Sequence, residues 1–124
     1  MNAQEGEHWW FVARRAIIDG LIRDHVALPD DARILEAGCG TGGNLALLAQ
    51  HGSVDALEYD DEARAIAAAR GVATVEAGAL PEKVGFGDRR YDLIALLDVL
   101  EHVDQDEASL AALRGRLAAG GRLL

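Results

Sequence analysis

The run Ile34-Leu35-Glu36-Ala37-Gly38-Cys39-Gly40-Thr41-Gly42-Gly43-Asn44 decides the fold. Arg33 to Ala37 is a strand-length stretch that passes directly into four glycines within six positions. From Asn44 to His51, Leu45, Leu47 and Leu48 resume at helical spacing. A strand that enters glycines and leaves as a helix places unpaired backbone N–H groups at the carboxyl edge of a sheet. Glycine allows the sharp turn and lets a ligand approach the backbone with no Cβ in the way. Taken alone, Gly38-x-Gly40-x-x-Gly43 fits an adenosine-type cofactor of any kind, dinucleotides included.

Outward from this run the chain alternates strands and helices. Apolar residues at helical spacing (Phe11, Ile17, Ile18, Leu21, Ile22) predict a helical leader over 1–28, which Leu28-Pro29-Asp30-Asp31 closes. Ser53 to Glu58 reads as a second strand, and Asp60 and Asp61 suit the start of an Ala-rich helix that stops at Gly71. Val72 to Ala77 and Tyr91 to Leu97 read as strands three and four, the latter continuously apolar as a strand covered on both faces should be. Leu110, Leu113 and Leu117 predict a helix over about 106–118, ended by Gly120-Gly121, with Arg122 to Leu124 beginning a fifth strand. This order predicts one α/β domain over 1–124, with a Rossmann-like, doubly wound, mainly parallel sheet in a core over 32–124.

Composition narrows the function classes. The 124 residues are half hydrophobic and only 5% aromatic, an ordinary globular balance with an aliphatic core. Twelve basic residues against 21 acidic ones leave a net charge of −9, which argues against a nucleic-acid partner. No apolar run reaches membrane-spanning length and no signal peptide is visible, so no membrane association and a cytoplasmic location are expected. The single cysteine, Cys39, rules out an intramolecular disulfide and argues against a structural metal site.

Glu36, Gly38, Gly40 and Gly42 together read E-x-G-x-G-x-G, which resembles the first motif of class I S-adenosylmethionine-dependent methyltransferases. The resemblance extends through the chain in order. Ser53 to Glu58 is similar to that family's second strand, which ends in an acid. Asp92-Leu93-Ile94 followed by Asp98-Val99-Leu100-Glu101-His102-Val103 is similar to its fourth-strand signature. Leu117 to Leu124 resembles its lead-in to strand five, with Ala119 in place of the usual proline, and Glu7-His8-Trp9-Trp10-Phe11 resembles a leader of bacterial members.

The resemblance implies S-adenosylmethionine as cofactor and a small molecule as methyl acceptor. It implies a glycine turn (Gly38, Cys39, Gly40, Gly42) whose amides face the methionine carboxylate, and Glu36 at the amino end. Glu58 is implied on the ribose hydroxyls, Tyr59 beside the adenine or ribose, and carbonyls near Leu97 and Asp98 on the ammonium. An acid normally follows strand three in the family, but Ala79 stands there, so adenine recognition is expected from the backbone of Ala79 and Leu80. His102 is the one candidate base for an acceptor hydroxyl or amine. Two alternatives stay open: a nicotinamide- or flavin-binding oxidoreductase using Gly38, Gly40 and Gly43, and a non-catalytic remnant that keeps the cofactor site. Because Leu124 is only the third residue of the expected strand five, the resemblance also implies an incomplete sheet whose open edge favours self-association.

Overall fold

The computed structural model describes residues 3–26, 28–80, 84–97 and 106–124. Its elements run α1 (Ala3–His25), β1 (Arg33–Ala37), α2 (Leu45–Ala49), β2 (Ser53–Glu58), α3 (Asp61–Ala69), β3 (Thr74–Ala77), β4 (Tyr91–Ala95), α4 (Asp106–Arg114) and β5 (Leu117–Leu123). The five strands form one sheet in the order β3-β2-β1-β4-β5, and every neighbouring pair is parallel. β1 lies at the centre, with Arg33 to Ala37 paired to Ser53 to Leu57 and Ile34 to Glu36 paired to Leu93 to Ala95. The chain winds outward from β1 through β2 to β3, then crosses back to β4 on β1's other side. That reversal creates a topological switch point at the carboxyl ends of β1 and β4, where open α/β sheets bind ligands.

Side chains alternate between two buried faces. Ile34, Val54, Ala56 and Leu93 meet Ile18 and Ile22 of α1 and Leu45 and Leu48 of α2. Leu35, Leu57, Tyr91 and Ile94 meet Phe86 and Leu113 of α4 on the opposite face. Fully burying a Leu or Ile stabilises by ~1.5–3 kcal/mol, so covering both faces accounts for the near-continuous apolar runs of β1 and β4. On the second face the Tyr91 hydroxyl donates to Asp55 Oδ2 at 2.7 Å, and Arg89 holds the same oxygen at 2.9 Å. Burial first, then that hydrogen bond, raises the Tyr91 pKa. At the start of α3 the Asp60 side chain accepts from the Ala63 amide at 2.8 Å, the cap its sequence position foretells.

The boundary between α4 and β5 departs from the sequence reading. The helix ends at Arg114, and β5 begins at Leu117 rather than Arg122. Leu117 falls one helical turn beyond Leu113, so its spacing fits either element. Tertiary pairing decides: the Tyr91 amide donates to the Arg116 carbonyl at 2.8 Å, which starts the β4–β5 ladder before the glycines. Gly120 and Gly121 therefore lie inside the strand, where the register shifts between Tyr91–Leu117 and Leu93–Arg122. A Cβ on Gly121 would stand 2.8 Å from the Tyr91 carbonyl oxygen and 3.0 Å from that of Ala118, so close backbone approach at the bulge requires glycine. β3 and β5 form the sheet's two edges. Among the described residues no helix is long and apolar enough to cross a membrane.

Candidate functional site

β1 and β2 deliver their terminal residues to the same edge of the sheet. The glycine turn leaves β1 and is stitched to the end of β2: the Leu57 carbonyl accepts from the Gly38 and Cys39 amides at 2.8 and 3.1 Å. The Gly42 amide donates to the Cys39 carbonyl at 3.0 Å and closes the turn ahead of α2. Gly38, Gly40 and Gly42 all take positive φ (74°, 59° and 88°), which side chains with a Cβ rarely adopt. Gly40 faces open space, because a Cβ there would meet nothing within 4 Å. A ligand can reach the backbone at that point.

Glu58, the last residue of β2, faces the turn. One carboxylate oxygen accepts from the Gly40 amide at 2.8 Å, 18 residues away in the chain. The other accepts from the Asp60 amide at 2.9 Å. Each ionised carboxylate oxygen offers two acceptor positions, so one remains on each for a further donor. Glu58 is thus half-buried and held at both oxygens, a carboxylate already aimed at the sheet edge. Its neighbour Tyr59 is 79% exposed, with its carbonyl accepting from Arg64 at 3.3 Å.

Glu36 is buried, only 2% exposed, and lines a cavity of about 220 Å³ between α1 and the glycine turn. Arg14, Arg15, Gly38, Gly40 and Asn44 line it as well. Pockets that enclose a drug-sized ligand span ~300–1,000 Å³, so this cavity suits one end of such a molecule. Arg14 also donates from its guanidinium to the Leu97 carbonyl, just past β4. Cys39 is buried at the turn. Burial, then Glu36 and Glu58, pushes its thiol up to about 12, so it stays a neutral packing group at physiological pH.

The sheet edge gathers Glu36, the glycine turn, Glu58 and Tyr59 at the ends of β1 and β2, and Leu97 just beyond β4. Ala79 and Leu80 follow β3 and are partly buried, Leu80 against the second-face core. Asp98, Glu101 and His102 lie outside the described residues, as does the stretch after Leu97 that carries the fourth-strand signature. Sequence reasoning did not single out Arg14 or Arg15. A signal was available for Arg14: it stands four and eight residues before Ile18 and Ile22, which are buried, so it continues their stripe. A charged residue on the apolar face of a helix needs a polar partner, and here α1 carries it to the sheet edge.

A family model described as a methyltransferase domain matches residues 8–124. No curated protein matches the sequence. Among solved structures, a TehB-like SAM-dependent methyltransferase from Corynebacterium glutamicum is 25% identical with a TM-score of 0.71, covering 98% of this chain and 72% of that one. SAM-bound CalS10, an amino pentose methyltransferase from Micromonospora echinaspora, is 27% identical with a TM-score of 0.79, covering 99% of this chain and 55% of that one. The sugar N-methyltransferase KedS8 from a Streptoalloteichus species shares the fold, at 24% identity and a TM-score of 0.74 over 91% of this chain and 47% of that one. The chain spans about half the length of the latter two. With the family match running from His8 to the last residue and the five-stranded parallel sheet superposing on these enzymes, the chain belongs to the class I S-adenosylmethionine-dependent methyltransferases.

Proposed function

We propose that this chain binds S-adenosylmethionine at the carboxyl edge of β1 and β2 and transfers its methyl group to a small-molecule acceptor. One observation carries the reading. The Glu58 carboxylate is fixed on the amides of Gly40 and Asp60, beside a turn that is open at Gly40 and a cavity floored by buried Glu36. A vicinal pair of ribose hydroxyls suits a carboxylate with one acceptor position left on each oxygen. A cationic amino end suits Glu36, and the net charge of −9 favours approach of a ligand that carries sulfonium and ammonium groups.

When bound, S-adenosylmethionine supplies a methyl group already activated on a sulfonium. The residues present would therefore act by position: Glu58 holds the ribose, Glu36 the amino end, and the backbone of Ala79 and Leu80 the adenine. Alignment and exclusion of water then provide most of the rate, which requires no dedicated nucleophile, and the neutral Cys39 thiol is not one. CalS10 is an amino pentose methyltransferase, and a small polar acceptor of that size is the class proposed here. A cytoplasmic location belongs to the same reading and agrees with the free thiol at Cys39.

Calorimetry separates this from a dinucleotide-binding role. S-adenosylhomocysteine should bind saturably, and NADH should give no signal at the same concentrations. Saturable NADH binding without any S-adenosylhomocysteine signal would overturn the cofactor class.

A further inference from the structure

We infer that the open cleft between α1, α2 and the end of α3 is a second binding site, built for a small organic phosphate ester. The site is separate from the proposed cofactor site and does not depend on it. The cleft has a volume of about 560 Å³ and gathers side chains from three helices. Arg15 and Asp19 come from α1, Gln50 is the residue that caps the end of α2, and Arg70 caps the end of α3. In a chain of net charge −9, two arginines on one cleft call for a counterion. Asp19 is the acid nearest to hand, and it is already committed: Oδ1 pairs with His51 Nε2 at 2.7 Å and Oδ2 accepts from Arg23 at 3.1 Å. Arg15 has no hydrogen bond or ion pair among the described residues. Arg70 donates from Nε to the Thr41 carbonyl at 2.6 Å, and among the described residues its Nη groups have no acceptor.

Each guanidinium presents a planar fork of donors that matches phosphate oxygens. A carboxylate has two oxygens and satisfies one fork, whereas the three terminal oxygens and double charge of a phosphate ester can serve two. The bond to Thr41 already restrains Arg70, so less side-chain freedom is lost when it takes a ligand. The volume falls within the ~300–1,000 Å³ of small-molecule sites and exceeds what a bare phosphate fills. Ala16, Ala46 and Leu47 supply an apolar wall for the organic part. Arg15 and Gly43 also line the cofactor cavity, so the two spaces are neighbours and the experiment must tell them apart.

Phenyl phosphate is the probe, titrated into the full chain at physiological salt and followed by calorimetry and nuclear magnetic resonance. It should bind saturably, more tightly than inorganic phosphate, and shift the amides of residues 15–19, 46–50 and 70–71. Arg15→Met and Arg70→Met should each weaken binding roughly tenfold, the usual effect of losing one charge-assisted contact. Arg114→Met, at an exposed arginine on α4, should leave it within about twofold. Absence of saturable binding would overturn the inference. So would a loss as large in Arg114→Met, which would mean attraction to diffuse charge, and so would shifts centred on residues 38–40 and 58–60, which would put the anion in the cofactor cavity. Equal affinity for inorganic phosphate would overturn the ester as the ligand. Should Arg70→Met fail to fold for want of the Thr41 bond, Arg15→Met on a different helix and the shift map of the unmodified chain still decide.

Discussion

Glu58→Ala is expected to weaken S-adenosylhomocysteine binding by roughly tenfold to a thousandfold, about 1.4–4 kcal/mol, because its charge-assisted hydrogen bonds, worth ~1.5–3 kcal/mol each, are lost and in part replaced by water. The change also removes the acceptor for the Gly40 and Asp60 amides, which ties the glycine turn to the start of α3. A drop in thermal midpoint should therefore accompany the loss of binding, since orphaning a partly buried donor costs about 1–3 kcal/mol. Glu58→Gln should fall between. Its amide keeps one acceptor oxygen but presents N–H groups to a backbone donor. Glu62→Ala is the control, since Glu62 is exposed on the first turn of α3. Titration calorimetry on the three variants checks the ranking. Equal, negligible effects from Glu58→Ala and Glu62→Ala would remove Glu58 from the site.

Gly42→Ala is expected to cost much more stability than Gly40→Ala, although the two glycines sit two residues apart in one turn. Both have positive φ, so each substitution pays left-handed strain of ~1–2 kcal/mol. At Gly42 a new Cβ would also stand 2.9 Å from Leu45 Cδ1, 3.0 Å from Arg70 Cδ and 3.1 Å from Ala67 Cβ. Ala67 and Leu45 are fully buried, so the clash adds an overpacking cost of ~1–3 kcal/mol. Gly40→Ala meets nothing within 4 Å and places its methyl group in open space at the turn. It should spare folding and impair ligand binding instead. Urea denaturation of both variants measures the difference, and equal destabilisation would contradict it.

The centre of the fold was readable because local and tertiary signals coincide there. β1 and β2 are bounded by glycines and turn residues, their apolar runs match burial on both faces, and Asp60 caps α3 from the position where the sequence puts it. The α4–β5 boundary was not readable, because Leu117 serves a helical repeat and a strand equally well. The choice is made by a hydrogen bond between Tyr91 and Arg116, 25 residues apart, which no local pattern contains. Glu58 was legible as an acid ending a strand. That its two oxygens also brace the turn was not, since the bond to Gly40 depends on the β1–β2 register. Arg14 stood in the sequence as one of a pair of surface-like charges. Its spacing to Ile18 and Ile22 was a signal, but Ile17 and Leu21 offered a competing apolar stripe, and the burial of Ile18 and Ile22 decides between them.

The central claim is that the ligand sits at the carboxyl edge of β1 and β2, and a nuclear magnetic resonance titration of the labelled chain with S-adenosylhomocysteine tests it most directly. The amides of residues 38–44 and 58–60 should shift saturably and together. Shifts confined to the opposite face, around Phe86 and Tyr91, or to the β5 edge, or no saturable shift at all, would contradict the placement of the site.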